Sequence, residues 1–175
     1  SQAEHGPDSQ VILVTNDIEI ADATFEKVAE QLEKLERKST AQKALNNSKV
    51  IYFDNDQELL DFVNRYGAEH LIVCLDNETE FVNQIKHAGS IFIGNYTPES
   101  AGDYASGTNH TLPTNGYVRQ YSGVNLDSFL KAITYQKITA DGLIDLGPVI
   151  EAMATAEGLQ AHKNAVSIRL KTLKS

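Results

Sequence analysis

The sequence has no tryptophan, one cysteine, one methionine and only four prolines in 175 residues. The single Cys74 cannot form an internal disulfide, so disulfide-stapled scaffolds are excluded and a reducing, cytoplasmic setting is expected. It sits inside Leu71 to Leu75, the longest apolar run, and reads as a small buried hydrophobe. Five residues fall far short of the roughly 20 needed to cross a bilayer, and no membrane association is expected. Basic residues are also scarce, 15 Lys plus Arg against 24 Asp plus Glu for a net charge of −9, with none of the Lys/Arg clusters interleaved with aromatics that grip phosphate backbones. Nucleic-acid binding is disfavoured.

What is present suits a packed domain. Apolar residues make up 41% of the chain, and a chain of this size buries about 70% of the surface its unfolded form exposes. From residue 11 an apolar run, Val11 to Val14, precedes a segment with Ala21, Phe25, Val28, Leu32 and Leu35 at helical spacing, and Asn16 with Glu19 resembles a capping box. The unit recurs as Val50 to Phe53, then Asn55 and Glu58 opening a helix that carries Leu59, Phe62, Val63 and Tyr66 and stops at Gly67. It recurs again as Leu71 to Leu75 before Asn77 and Glu80, and a fourth strand, Ser90 to Ile93, closes the series.

Near-continuous apolar strands alternating with amphipathic helices predict an α/β fold, a Rossmann-like parallel sheet covered by helices on both faces. The turn after the first strand, Thr15-Asn16-Asp17, lacks the glycines that let a pyrophosphate approach a helix N-terminus. Residues 1–124 are expected to form this α/β domain, incomplete as a sheet, with a loop of turn-forming residues from Gly94 to about Val124. Residues 125–175 form a small tail: a helix near Leu126 to Ile133, a strand-like Tyr135 to Ile138, and helices on either side of Gly158. The tail is too small to bury its own core and is expected to pack on the main domain or on a second subunit.

Four polar groupings hold four of the five histidines: Gln2 with His5, Glu69 with His70, Asp103 with His110, and Glu157 with His162. Gln2 and His5, three apart near a helix end, point the same way, and neutral imidazole is a common zinc ligand; a solvated terminus is the plain alternative. Glu69-His70 is expected at the N-terminal end of the third strand, where a histidine beside a carboxylate can act as a general base or merely brace the sheet edge. Asp103 and His110 bracket a glycine-containing loop that suits either a ligand or Asx-type turns. His162 shares a helical stripe with Leu159, Val166, Leu170 and Leu173, which favours an interface or core histidine. His87, beside Lys86 at a helix end, has no assigned role.

The stretches Gly94-Asn95-Tyr96-Thr97-Pro98-Glu99-Ser100-Ala101-Gly102-Asp103-Tyr104 and Asn109-His110-Thr111-Leu112-Pro113-Thr114 closely resemble the most distinctive part of histidinol dehydrogenases. Gln2-Ala3-Glu4-His5, Ala68-Glu69-His70-Leu71 and Ala156-Glu157-Gly158-Leu159-Gln160-Ala161-His162 resemble other motifs of that family, in its order and spacing. The resemblance covers essentially the whole chain and implies the C-terminal two-fifths of such an enzyme, one that in some lineages follows two other histidine-pathway enzymes in a fused polypeptide. It implies oxidation of L-histidinol to L-histidine through an aldehyde in two NAD-dependent steps, with a zinc ion holding the substrate. By resemblance Gln2, His5, Asp103 and His162 are zinc ligands, His162 reaching the site from the other subunit of a homodimer. His70 matches the general base, Glu69 the residue that activates water for the second oxidation, and His110 and Glu157 substrate contacts. The same resemblance implies that the zinc-ligand set and His70 contact the substrate as well. The family's nicotinamide-binding residues lie upstream of Gln2, so this chain alone is expected neither to hold NAD nor to turn over.

Two other classes remain open at this level. One is a non-catalytic α/β module that binds zinc and a small imidazole ligand. The other is a receiver-like or flavodoxin-like domain, which leaves the Asp103 to Thr114 loop unexplained and lacks an acidic cluster after the first strand.

Overall fold

The computed structural model describes residues 1–174. The chain divides into two compact units, Ser1–Leu130 and Lys131–Ser175, where the sequence reading divided it after residue 124.

In the first unit, β1 (Ile12–Thr15) leads into α1 (Ile18–Lys34) and α2 (Lys38–Asn46), and β2 (Lys49–Tyr52) returns parallel to β1 with Ile12 opposite Lys49 and Thr15 opposite Tyr52. Then α3 (Asp56–Tyr66), β3 (Ala68–Val73), α4 (Glu78–Val82) and β4 (Ala88–Ile93) follow, with β4 parallel to β3, Ala68 opposite Ala88 and Val73 opposite Ile93. The alternating strand-helix order is thus present, but the described residues form two separate two-stranded parallel ladders in place of one four-stranded sheet. The two share a core. Leu59, Leu60 and Val63 of α3 pack with Val73 and Phe81, and Val14, Phe53, Leu71 and Ile91 close around them. Side-chain burial, not a continuous hydrogen-bond ladder, joins the two pairs.

Local signals explain the helix ends. Asn55 caps α3 through its side-chain oxygen, which accepts from the Glu58 amide at 3.0 Å, and Gly67 ends that helix at φ +66°. At α1 the cap is Asp17, whose carboxylate accepts from the Glu19 amide at 2.8 Å. The expected Asn16 is drawn elsewhere, its Nδ2 donating to Asp56 Oδ1 at 2.6 Å. The apolar stripe expected on α1 is mostly open: Ala21 is buried, whereas Phe25 and Val28 are exposed. Cys74 is exposed too, correcting its reading as a buried hydrophobe, because it lies just past the last paired residue of β3.

The loop after β4 contains α5 (Glu99–Tyr104), and Asn115 and Gly116 turn the chain left-handed at φ 53° and 74° before a 3-10 turn, Tyr117–Arg119. Near the unit boundary only a 3-10 turn, Leu126–Phe129, replaces the expected helix, held by a capping box between Asn125 and Ser128. In the second unit Tyr135 to Ile138 is not a strand, since among the described residues no strand pairs with it. Thr139 caps α6 (Ala140–Ala156), Gly158 at φ +73° reverses the chain, and α7 (Gln160–Lys174) packs back antiparallel. Leu170 covers Gly147, and Ser167 donates to Glu151 one turn along. No described helix is long and apolar enough to cross a membrane.

Candidate active site and metal centre

The site is built on the β3–β4 ladder. His70 lies within β3 opposite Ser90, not at the strand's N-terminal end as expected, because pairing already starts at Ala68. Its ring stacks on Phe92 of β4, one diagonal step along the same face, with centroids 6.1 Å apart and planes at 28°. Phe92 is buried and forms a floor beneath the imidazole.

After β4 the chain turns at Gly94, Thr97 Oγ1 donates back to the Ile93 carbonyl at 2.7 Å, and Pro98 leads into α5. Glu99 and Asp103 are four apart on this helix and so share a face. Gly102, buried, lets α5 lie directly on the Phe92 ring, and Thr108 Oγ1 donates to the Gly102 carbonyl at 3.3 Å. The result brings one ligand atom each of His70, Glu99 and Asp103 within 4.8 Å of one another.

The N-terminal turn, Gln2–Glu4, closes the arrangement. Gln2 Nε2 lies 3.4 Å from His70 Nδ1, and Ser1 Oγ donates to Glu99 Oε2 at 3.1 Å. This turn is tied down by Arg37, whose Nη2 donates to the His5 carbonyl, and by Asn47, whose Nδ2 donates to the Pro7 carbonyl.

Three of the residues singled out from sequence, Gln2, His70 and Asp103, therefore meet. Glu69 is half-buried beside His70 in β3 but lies outside the three-residue group. His5 is exposed at the end of the N-terminal turn, and His110 is exposed in the loop after α5. Glu157, the C-cap of α6, and His162, in the first turn of α7, are both exposed in the second unit. His162 is thus not a core residue of its own unit, where Leu170 of the same stripe is buried. Glu99 is the residue sequence reasoning passed over. Its signal was the four-residue spacing to Asp103 within a segment read only as a loop.

Glu99 is also the most unusual group electrostatically. It is only 4% exposed, and its Oε1 has no hydrogen-bond partner among the described residues. An unsatisfied buried acceptor is costly, and two carboxylates this close call for a cation or a donor between them. An imidazole nitrogen and carboxylate oxygens are donors that zinc accepts, so the residues present fit a divalent metal.

A family model described as histidinol dehydrogenase matches residues 1–170. The chain belongs to the histidinol dehydrogenase family. It is 54% identical over 174 residues to a histidinol dehydrogenase of Bacteroides thetaiotaomicron, covering 99% of this chain and 41% of that protein. Against a histidinol dehydrogenase of Pseudoalteromonas translucida it is 53% identical over 175 residues, 100% of this chain and 40% of the relative. The crystal structure of histidinol dehydrogenase from Elizabethkingia anophelis superposes with a TM-score of 0.95 at 56% identity, covering 99% of this chain and 40% of that one. The chain thus spans about two fifths of the length of these relatives.

Proposed function

We propose that this chain carries the proton-handling and zinc-holding part of a histidinol dehydrogenase, an NAD-dependent enzyme that oxidises L-histidinol to L-histidine through L-histidinal. The observation that carries the reading is the convergence of His70, Asp103 and Gln2 around one half-buried spot in a chain whose family match runs through residue 170.

Oxidising a carbinol means removing its hydroxyl proton as the carbon gives up a hydride. His70, stacked on Phe92 and partly shielded from water, is placed to accept that proton. Glu69 is assigned the second task, taking a proton from the water that adds to the aldehyde. Gln2, His5 and Asp103, with His162 from a second subunit, are assigned to zinc, and His110 and Glu157 to the substrate. Zinc, when bound, supplies a template that orients the amine and imidazole of L-histidinol. The homodimer, with the tail of residues 125–175 crossing between subunits, and the completed doubly covered sheet are part of the same proposal.

The turn after β1 offers no pyrophosphate cradle for NAD. The turn after β1 is Thr15-Asn16-Asp17, and the Asp17 carboxylate occupies the N-terminus of α1, where a pyrophosphate would need bare amides. Cofactor binding and hydride transfer are therefore assigned to the remainder of a family-length enzyme, in the cytoplasm, and the isolated chain is expected to be inactive.

The test is L-histidinol-dependent NADH formation by the family-length enzyme, before and after chelation and after zinc is restored. Activity that vanishes on chelation and returns with zinc supports the reading. Zinc-dependent binding of L-histidinol without NADH formation would instead favour the non-catalytic module.

A further inference from the structure

Within this reading the general base needs one nitrogen free as an acceptor, and an imidazole has two nitrogens whose roles are set by whatever the other one meets. At His70 the two contacts agree with each other. Gln2 directs its amide nitrogen, a donor, at Nδ1 from 3.4 Å, which suits an Nδ1 lone pair. Glu99 directs Oε1, an acceptor, at Nε2 from 3.8 Å, which suits an Nε2–H. The two contacts are complementary, a donor facing Nδ1 and an acceptor facing Nε2, an arrangement that suits a proton on Nε2.

Glu99 itself points to the same partner. Of its two carboxylate oxygens, Oε2 is satisfied by Ser1 Oγ at 3.1 Å, whereas Oε1 is buried and unpartnered. The Glu99 side chain is 4% exposed and the His70 side chain 12%, so the contact between them is largely shielded from water. Asp103, one helical turn later, is partly exposed and available to a ligand. Burial thus distinguishes the two carboxylates of α5, Asp103 partly exposed and Glu99 buried with one oxygen left unsatisfied. The separation of 3.8 Å is longer than a hydrogen bond, as catalytic contacts commonly are before substrate tightens them.

We propose that Glu99 is a positioning residue, whose buried Oε1 holds His70 in the Nε2–H tautomer so that Nδ1 takes the substrate hydroxyl proton. As that proton arrives at Nδ1 the ring becomes an imidazolium, and the adjacent Glu99 carboxylate stabilises the new charge. Gln2 must then turn its amide away from Nδ1 when substrate binds, which is what its assignment to zinc requires. The proposal rests on the histidinol dehydrogenase reading.

The experiment compares Glu99→Gln, Glu99→Asp, His70→Gln and the double variant Glu99→Gln/His70→Gln in the family-length enzyme, reading kcat, KM for L-histidinol and zinc content. The Gln variant offers Nε2 an amide that can donate, favouring the wrong tautomer. It should lose on the order of tenfold to a hundredfold in kcat, the scale of removing the group that orients a functional imidazole, with KM and zinc content within about twofold. Glu99→Asp keeps the charge and should retain an intermediate kcat, which carries the test if the Gln variant does not fold. The double variant should be no slower than His70→Gln alone, because the two residues act as one unit.

An unchanged kcat in Glu99→Gln overturns the proposal. So does zinc loss in step with activity, which would make Glu99 a metal-side group, and so does an additive double variant. A wild-type enzyme that forms no NADH from L-histidinol fails the functional reading itself, a result separate from all of these.

Discussion

Gly102 of α5 lies so close to Phe92 of β4 that a Cβ built at 102 falls 2.8 Å from the ring's Cε1. The ring has no room to retreat, being 5% exposed and stacked under His70. The missing side chain at this helix residue lets α5 lie on the ring and bring both of its carboxylates near the imidazole.

Gly102→Ala should therefore lift α5 and pull Glu99 and Asp103 away from His70. Helix propensity favours alanine by about 1 kcal/mol, and overpacking costs about 1–3 kcal/mol, so a net loss of stability of up to about 2 kcal/mol is expected. Zinc affinity should fall by more than that stability loss explains. Thermal unfolding and zinc titration of the variant check this, and a variant with native zinc affinity would show that α5 need not touch Phe92.

Gly89 makes a similar approach against backbone. A Cβ there would sit 2.5 Å from the Glu69 carbonyl oxygen, which cannot swing aside as a side chain can. Gly89→Ala should part β3 from β4 beside Glu69 and His70 at a cost of about 3 kcal/mol, the upper end of overpacking penalties. The urea midpoint and hydrogen exchange of β3 amides report it. Native protection in the variant would refute the close approach.

His162 and His70 should separate zinc binding from turnover. His162→Asn is expected to weaken zinc and L-histidinol binding while both compact units stay folded, since the side chain is exposed and its removal uncovers no core. His70→Gln is expected to keep most of the zinc and lose turnover, by about 10²- to 10⁴-fold for a general base. Unchanged zinc affinity in the first variant removes His162 from the site, and an unaltered rate in the second removes His70 as base.

Tyr66 gives a pH dependence whose sign can be worked out. Its hydroxyl donates to Gln10 Oε1 at 2.8 Å, and burial raises the phenol above its ordinary value. The unfolded chain then releases this proton near pH 10 while the folded protein still holds it, so the contribution is intact below that pH and declines as pH rises through it. Tyr66→Phe should flatten the alkaline decline in the urea midpoint between pH 9 and pH 11, about one unit either side of the free phenol's value. An identical decline in both proteins would place the alkaline sensitivity elsewhere.

Much of the architecture was legible because its causes are local. The Asn55 cap, the Gly67 stop and the Gly158 reversal each depend on a residue and its immediate neighbours, and each stands where the spacing placed it. The failures have longer-range causes. Asn16 lost the α1 cap to Asp17 because the helix begins at Ile18, one residue later than the capping-box spacing placed it, while the Asn16 amide nitrogen reaches Asp56, forty residues on. Tyr135 to Ile138 has strand-forming residues, but none of the described strands pairs with it.

The same division runs through the site. Sequence alone determined the family, the strand-helix alternation and the identity of Gln2, His70 and Asp103 as candidates, because residue types and their spacing carry that information. Tertiary structure decided which of them meet. Ser1, His70 and Glu99 come together across as many as 98 positions of chain, and no local pattern encodes that closure. It arises from the β3–β4 register, from Gly102 admitting α5 onto Phe92, and from burial that leaves one Glu99 oxygen facing an imidazole instead of water.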